Sequence, residues 1–341
     1  MNFFSRLIFT SVQQFLCGLA ASALFLCLVA TGNLMAQAPN PFVKDIEAQN
    51  AQHLARTLNL PKAKKPPTLE RDYEDKISQT DWQLVDGPIN ISITLKKGGP
   101  PDGALFMNPI LSLNVDGKDV LKIEGSESFP DNPVFLVQIA EMDPANPYPE
   151  VVFSTYTGGA HCCSDTRILT SSKDGKSWQE VEVGSFDGGP LEARDLDGDG
   201  RYELATRDNA FLYTFGCYAC STAPLLVLTL EGGKLKNVSA DPEFRDHQID
   251  SLKRIVEWAE GDSDRNGFLA GYVGQKILLG EGKPAWELLL KYYDRKSDWG
   301  LESCTVKRDD KGDCPRGKTV KLTYPDALKR FLADNGYNAK M

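Results

Sequence analysis

Nine residues, "DLDGDGRYE" from Asp195 to Glu203, carry a dense set of hard oxygen donors. Counted from Asp195, aspartates stand at positions 1, 3 and 5, Gly200 at 6, Arg201 at 7 and Glu203 at 9. Carboxylates this close repel one another unless a cation lies among them. The spacing wraps oxygen ligands around one ion with a sharp backbone turn at the glycine, as calcium requires. Asp195, Asp197, Asp199 and Glu203 would give carboxylates and Arg201 its carbonyl. Magnesium fits less well because it keeps several waters. Position 12, a glutamate in an EF-hand, is Thr206, and the flanks "PLEARDL" and "ELATRD" read as strands, so this is not a helix–loop–helix site. A second stretch, "DSDRNG", has Asp262, Asp264 and Asn266 at positions 1, 3 and 5, but Ala270 and Val273 stand at 9 and 12. It reads better as a helix N-terminus.

Cysteines form the other cluster. "TYTGGAHCCSD" holds His161, Cys162 and Cys163; "CYAC" holds Cys217 and Cys220; Cys304 and Cys314 bracket a short hairpin. Three chemistries suit these residues: disulfides, a zinc site completed by His161, or a redox-active C-x-x-C. The compartment decides between them. An apolar run from Leu16 to Ala30, with A-x-A at Ala36 and Ala38, reads as a cleaved export signal over residues 1–38 and not as a membrane span. Cys17 and Cys27 leave with it, so six cysteines reach an oxidising, secreted or periplasmic space, which favours disulfides. Cross-links from Cys162 and Cys163 to Cys217 and Cys220 are expected, in either connectivity. Closing Cys304 to Cys314 would stabilise by roughly 2–3 kcal/mol. His161 reads as part of a turn; His53 and His247 have no evident partner. Neither G-x-S-x-G, H-E-x-x-H nor a P-loop occurs, so no catalytic residue is assigned.

Removing residues 1–38 takes away one charge, Arg6, and leaves a net charge of −10. That balance excludes the footprint of a nucleic-acid binder and disfavours anionic membranes.

These clusters sit on a β-rich middle. Residues 39–81 read as a helical arm, "FVKDIEAQNAQHLARTLNL", and a linker. Residues 82–245 hold short β runs, among them "INISITL", "LSLNV", "VFLVQIAEM", "EVVFSTY", "AFLYTF" and "LLVLTL", separated by turns such as "DGK" and "EGGK". Residues 246–341 carry apolar residues at helical spacing in "IDSLKRIVEWAEG", "GFLAGYVGQKILLG", "PAWELLLKYYDR" and "PDALKRFLADNGY". A repeat is also legible. From Glu150 and again from Glu203, 53 residues on, the chain runs acidic residue, β run, cysteine pair, β run, Gly-Lys turn, β run. The earlier copy follows its own acidic loop, "EMDPANPYPE", which keeps Glu141, Asp143, Asn146 and Glu150 but lacks glycines and is expected to hold no metal.

A calcium loop between strands, following a β repeat, resembles the FG-GAP or VCBS repeats of integrin-like β-propellers and exported bacterial proteins. Asp195, Asp197, Asp199 and Glu203 match that family's ligand positions, and the resemblance covers roughly residues 135 to 240. It implies a structural calcium ion tying neighbouring strands. Only two repeats are legible, and a closed propeller needs at least four blades. The expected fold is mainly β: propeller-like or incomplete-propeller antiparallel sheets with a small helical C-terminal unit. The expected function is an exported, calcium-stabilised binding or scaffold module for a protein or glycan. Two other classes compete: a hydrolase with a cleft between the β and helical units, and an envelope-structure protein docking through its arm.

Overall fold

The computed structural model describes residues 40–62, 64–72, 81–98, 106–128, 133–159, 162–260, 265–307, 309 and 312–337. Residues 1–38, His161, Asp262 and Asp264 lie outside them. Helix α1 (Pro41–Ala55) comes first, capped by Asn40, whose side chain accepts the Phe42 N–H, with proline in its first turn. Strand β1 (Thr68–Arg71) follows. Three antiparallel meanders succeed one another along the chain. The first sheet is β2 (Asp81–Asp86), β3 (Ile89–Gly98), β4 (Phe106–Val115) and β5 (Lys118–Glu124), in that order. The second is β6 (Phe135–Ala140), β7 (Glu150–Tyr156), β8 (Cys162–Ser171) and β9 (Trp178–Asp187), with β1 added beside β6. The third is β10 (Ala193–Arg194), β11 (Glu203–Arg207), β12 (Leu225–Glu231) and β13 (Lys234–Asn237).

Alternation sets the first sheet. Ile89, Ile91 and Ile93 are fully buried between outward Asn90, Ser92 and Thr94, and the β4–β5 hairpin turns through Asp116 and Gly117, both at positive φ (50° and 78°). The second sheet is the filling. Every residue of β6 is buried, because Phe135, Val137 and Ile139 meet the first sheet's isoleucines while Ala140, Val152 and Ile168 of the same sheet meet Leu204, Leu228 and Leu230 of the third. A strand covered on both faces reads as a nearly continuous apolar run, and the one polar residue of β6, buried Gln138, accepts the Ala193 N–H at 2.6 Å. All the named sheets are antiparallel, and among the described residues they remain open.

The rest is mainly helical: α2 (Arg245–Glu257), α3 (Arg265–Leu278), α4 (Gly282–Tyr292) and α5 (Tyr324–Asp334), with a small hairpin of β14 (Glu302–Cys304) and β15 (Thr319–Lys321). Two expectations are corrected here. The helix expected in residues 39–81 does not stand apart as an arm. Phe42 and Ile46 of α1 sit in the core built by α2–α5, and β1 closes an edge of the second sheet. "AFLYTF" is not a strand. It forms a short 3₁₀ turn, Asn209–Phe211, inside the long β11–β12 connection, and drives Phe211 and Phe215 into the helical core.

That connection lies on α3 itself. A Cβ at Gly267 would come 2.7 Å from the Cys220 carbonyl oxygen, one at Gly271 would run into the Thr222 carbonyl, and one at Gly274 would come 2.8 Å from the Phe211 ring. The glycine stripe therefore lets backbone approach backbone. The Thr222 hydroxyl donates to the Phe268 carbonyl at 2.9 Å and secures the contact. Among the described residues no helix is long and apolar enough to cross a membrane.

Candidate metal loop and adjoining cleft

The acidic loop spans the turn from β10 to β11. Gly198 and Gly200 take left-handed φ values of 83° and 93°, which a side chain would resist. Each aspartate caps its own piece of loop. Asp195 Oδ1 accepts the Gly198 N–H (2.8 Å), Asp197 Oδ1 that of Asp199 (3.0 Å) and Asp199 Oδ1 that of Arg201 (2.8 Å). The folding leaves one carboxylate oxygen from each of Asp195, Asp197 and Asp199 within 4.8 Å of the others. Calcium holds its ligands at roughly 2.3–2.6 Å, so two ligands on one ion lie at most about 5 Å apart. The donor set thus fits a single hard cation.

Glu203 takes another place than the one expected of it. Glu203 opens β11, is 3% exposed, and accepts the Leu196 N–H through Oε2 at 3.0 Å, stapling the start of the loop to its end. Burial and the three neighbouring aspartates push its carboxyl up to about 7. It is not part of the converging triad. The Arg201 guanidinium holds Asp199 Oδ2 at 2.7 Å. Burial raises the Asp199 pKa, but the Arg201 side chain and N–H outweigh it and keep it below its ordinary value. An arginine charge thus supplies part of the neutralisation a metal would give.

The earlier loop repeats the staple without the triad. Glu150, fully buried at the start of β7, accepts the Met142 and Asp143 N–H groups through Oε2 (2.8 and 3.0 Å). Its Oε1 accepts from the Asn146 amide and the Thr170 hydroxyl, both at 2.8 Å. An amide occupies the centre here, where the later loop turns aspartates inward. In "DSDRNG", Asn266 is already spent. It is fully buried in α3 and exchanges hydrogen bonds with the Asp294 backbone (3.1 and 2.9 Å).

Beside the loop lies a cleft of about 780 Å³ between the third sheet and α2, lined by Leu196, Arg207, Leu225, His247, Ile255 and Trp258 among others. Its acids are neutralised: Arg194 binds Glu192 at 2.7 Å, and Arg254 binds Asp250 one helical turn away. His247 does have a partner, contrary to the sequence reading, because its Nε2 reaches the Leu196 carbonyl at 2.8 Å. So does His53, whose Nε2 meets Glu281 at 2.8 Å. Neither contact has a signal in the sequence, since each joins segments brought together only by the fold.

The cysteines do not cross-link the repeats. Cys162 pairs with Cys163 and Cys217 with Cys220, while Cys304 and Cys314 pair across the small hairpin. Each pair lies within one short stretch of chain, so its sulfurs meet without bringing the two repeats together. Cys162 and Cys163 start β8, whereas Cys217 and Cys220 lie in the long connection drawn onto α3. The two pairs are still near neighbours. Cys162 stands opposite Asp187 in the β8–β9 ladder, and the Asp187 carboxylate, its side chain 4% exposed, accepts from the Tyr218 hydroxyl at 2.7 Å and from Arg207 at 2.8 Å.

Three open meanders, with helices packed beside the third and an acidic loop within it, define a mainly β protein with a helical C-terminal part. That part, residues 245–336, matches the family model described as the sll0997 C-terminal domain. The chain is 43% identical over 256 residues to the probable thylakoid lumen protein sll0997 of Synechocystis sp., covering 74% of each chain. It is 38% identical over 292 residues to the uncharacterized protein y4bJ of Sinorhizobium fredii, covering 80% of this chain and 46% of that protein's length. The chain belongs to the sll0997 family. Kinship with a lumen protein over this length places it in an exported, secreted or periplasmic space. No solved structure matches it.

Proposed function

We propose that the protein is an exported, calcium-stabilised β-repeat module that presents a surface to a protein or glycan. The convergence of Asp195, Asp197 and Asp199 on a loop built over two left-handed glycines carries this reading. In it, the three carboxylates and the Arg201 carbonyl hold the ion, and Glu203 anchors the loop behind them. The ion supplies charge neutralisation and stiffness, not chemistry. FG-GAP-like ancestry is supported by three successive four-strand meanders and by the glutamate staple that recurs at Glu150 and Glu203. Binding as the role is supported by aromatic side chains left in solvent: Trp258 at the cleft is 58% exposed, Tyr213 51% and Trp299 44%. Such faces suit sugars and peptide side chains alike. A hydrolase would use the cleft, but Glu192 and Asp250 are tied to arginines there, which favours binding over acid–base work.

Calorimetric titration of chelator-treated protein with calcium tests the reading. One ion per chain is expected, lost in Asp197→Ala and in Asp199→Ala. Heat absent from the unsubstituted chain at millimolar calcium would sink it.

A further inference from the structure

Two cysteine pairs share one patch of this surface, and nothing in the calcium reading uses them. They differ from the third pair in two physical respects. Cys304 is 5% exposed and its bond to Cys314 closes a ten-residue separation, so that bridge constrains the unfolded chain. Cys217 and Cys220 are three residues apart and both half-buried, and Cys162 is exposed. Bridges that span so little chain contribute little by the entropic route, and accessible ones are those that exchange.

The surroundings hold these pairs together and open to a partner. Tyr218 lies between Cys217 and Cys220, and its hydroxyl reaches Asp187, which stands opposite Cys162. The buried carboxylate thus pins the 217–220 turn against the start of β8. Four residues before Cys217, exposed Tyr213 sits at a φ of 59°, its carbonyl held by the Trp299 indole N–H at 2.8 Å and its ring 5.4 Å from that of Tyr218. A non-glycine residue in the left-handed region, secured from outside, keeps an aromatic face turned out beside the sulfurs. That is a platform for an extended polypeptide.

We propose that Cys217–Cys220, with Cys162–Cys163 beside it, is a thiol–disulfide exchange site that accepts electrons from a dithiol of another polypeptide in the exported space. A partner thiolate attacks one sulfur of the pair. The Cys217–Cys220 bond breaks, a mixed disulfide forms, and the released thiolate takes a proton. The partner's second thiolate then attacks the mixed disulfide and frees the other cysteine. Two electrons and two protons pass from the partner dithiol, which leaves as a disulfide. Cys304–Cys314 takes no part.

Native exported protein is equilibrated in graded dithiothreitol, quenched with iodoacetamide, and its cysteine peptides are read by mass spectrometry. Cys162, Cys163, Cys217 and Cys220 should become alkylated at dithiothreitol at least tenfold below that needed for Cys304 and Cys314, with circular dichroism unchanged. In oxidised glutathione, Cys220→Ser should trap one glutathione on Cys217. Should that variant not fold, the titration of the unsubstituted chain decides alone. Reduction of all three pairs together, or only on unfolding, overturns the proposal. So does finding the four thiols free before any reductant is added.

Discussion

His247 Nε2 lies 2.8 Å from the carbonyl oxygen of Leu196, the residue after the first aspartate of the acidic loop. Leu196 is also the residue whose N–H the Glu203 carboxylate holds. The backbone of this one residue therefore ties the loop to its own exit strand and to helix α2 of the C-terminal domain. Calcium in the loop should accordingly stabilise the β and helical parts together. At a free concentration one-hundredfold above its dissociation constant the ion would add about 2.7 kcal/mol. Calorimetric melting should show a single transition several degrees lower in chelator. His247→Ala should lower stability by about 1 kcal/mol and weaken calcium binding. Two separate transitions, only one of them calcium-sensitive, would refute this coupling.

Helix α3 offers a test in which propensity and packing disagree in sign. In a helix interior, Gly→Ala normally stabilises by about 1 kcal/mol. At Gly271 the added methyl would meet the Thr222 carbonyl, which is backbone and cannot rotate away. Gly271→Ala should instead destabilise by about 3 kcal/mol or more, through the overpacking of a closed contact. Urea denaturation checks it, and any gain in midpoint contradicts the close approach.

The same stripe explains what the sequence hid. Alternation in "INISITL" and the positive-φ turn at Asp116–Gly117 need only local chemistry, so the first sheet was legible. The acidic spacing likewise gave the Asp195–Asp197–Asp199 convergence, because a turn that short leaves little choice. "AFLYTF" reads as a strand by the same rules, yet its fate is set by Gly267, Gly271 and Gly274, more than fifty residues later. The arm at Phe42 and Ile46 was misplaced for a related reason: its apolar stripe packs against α2, α3 and α4, which lie some two hundred residues on. Matched cysteine positions in the repeats suggested cross-links, but each pair closes on its own short segment.

Glu150 predicts a pH dependence. Desolvation raises its pKa above the ordinary 4.5, and the donors from Asn146, Met142, Asp143 and Thr170 offset this only in part. The folded chain then keeps a proton that the unfolded chain releases at about 4.5. Its own contribution to stability should fall as pH rises from there to the folded value, by about 1.4 kcal/mol per pH unit, and be level above it, while Glu203, pushed up to about 7, adds a slope of the same sign. Glu150→Gln should make that segment shallower when urea midpoints are compared across pH 4.5 to 8. Parallel curves for the two proteins would exclude Glu150 as its source.

The docking of α1 rests on a buried cation. Lys276 of α3, its side chain 1% exposed, donates to the Asn50 Oδ1 of α1 at 2.9 Å and to the Glu281 carboxylate. Asn50 in turn donates to the Tyr272 hydroxyl at 2.9 Å, and Glu281 also meets His53 of α1. Burial lowers the Lys276 pKa, with Glu281 pulling the other way, so the ammonium depends on that carboxylate. Removing one member of a buried pair strands the other charge, at about 3–5 kcal/mol, whereas replacing both by apolar groups is often near neutral. Glu281→Ala should therefore destabilise by about 3 kcal/mol and make residues 41–62 sensitive to limited proteolysis. Lys276→Met in the same chain should restore most of the loss. A Glu281→Ala chain that stays within about 0.5 kcal/mol of the parent, the range of an ordinary surface change, would show that the ion pair does not hold α1 in place.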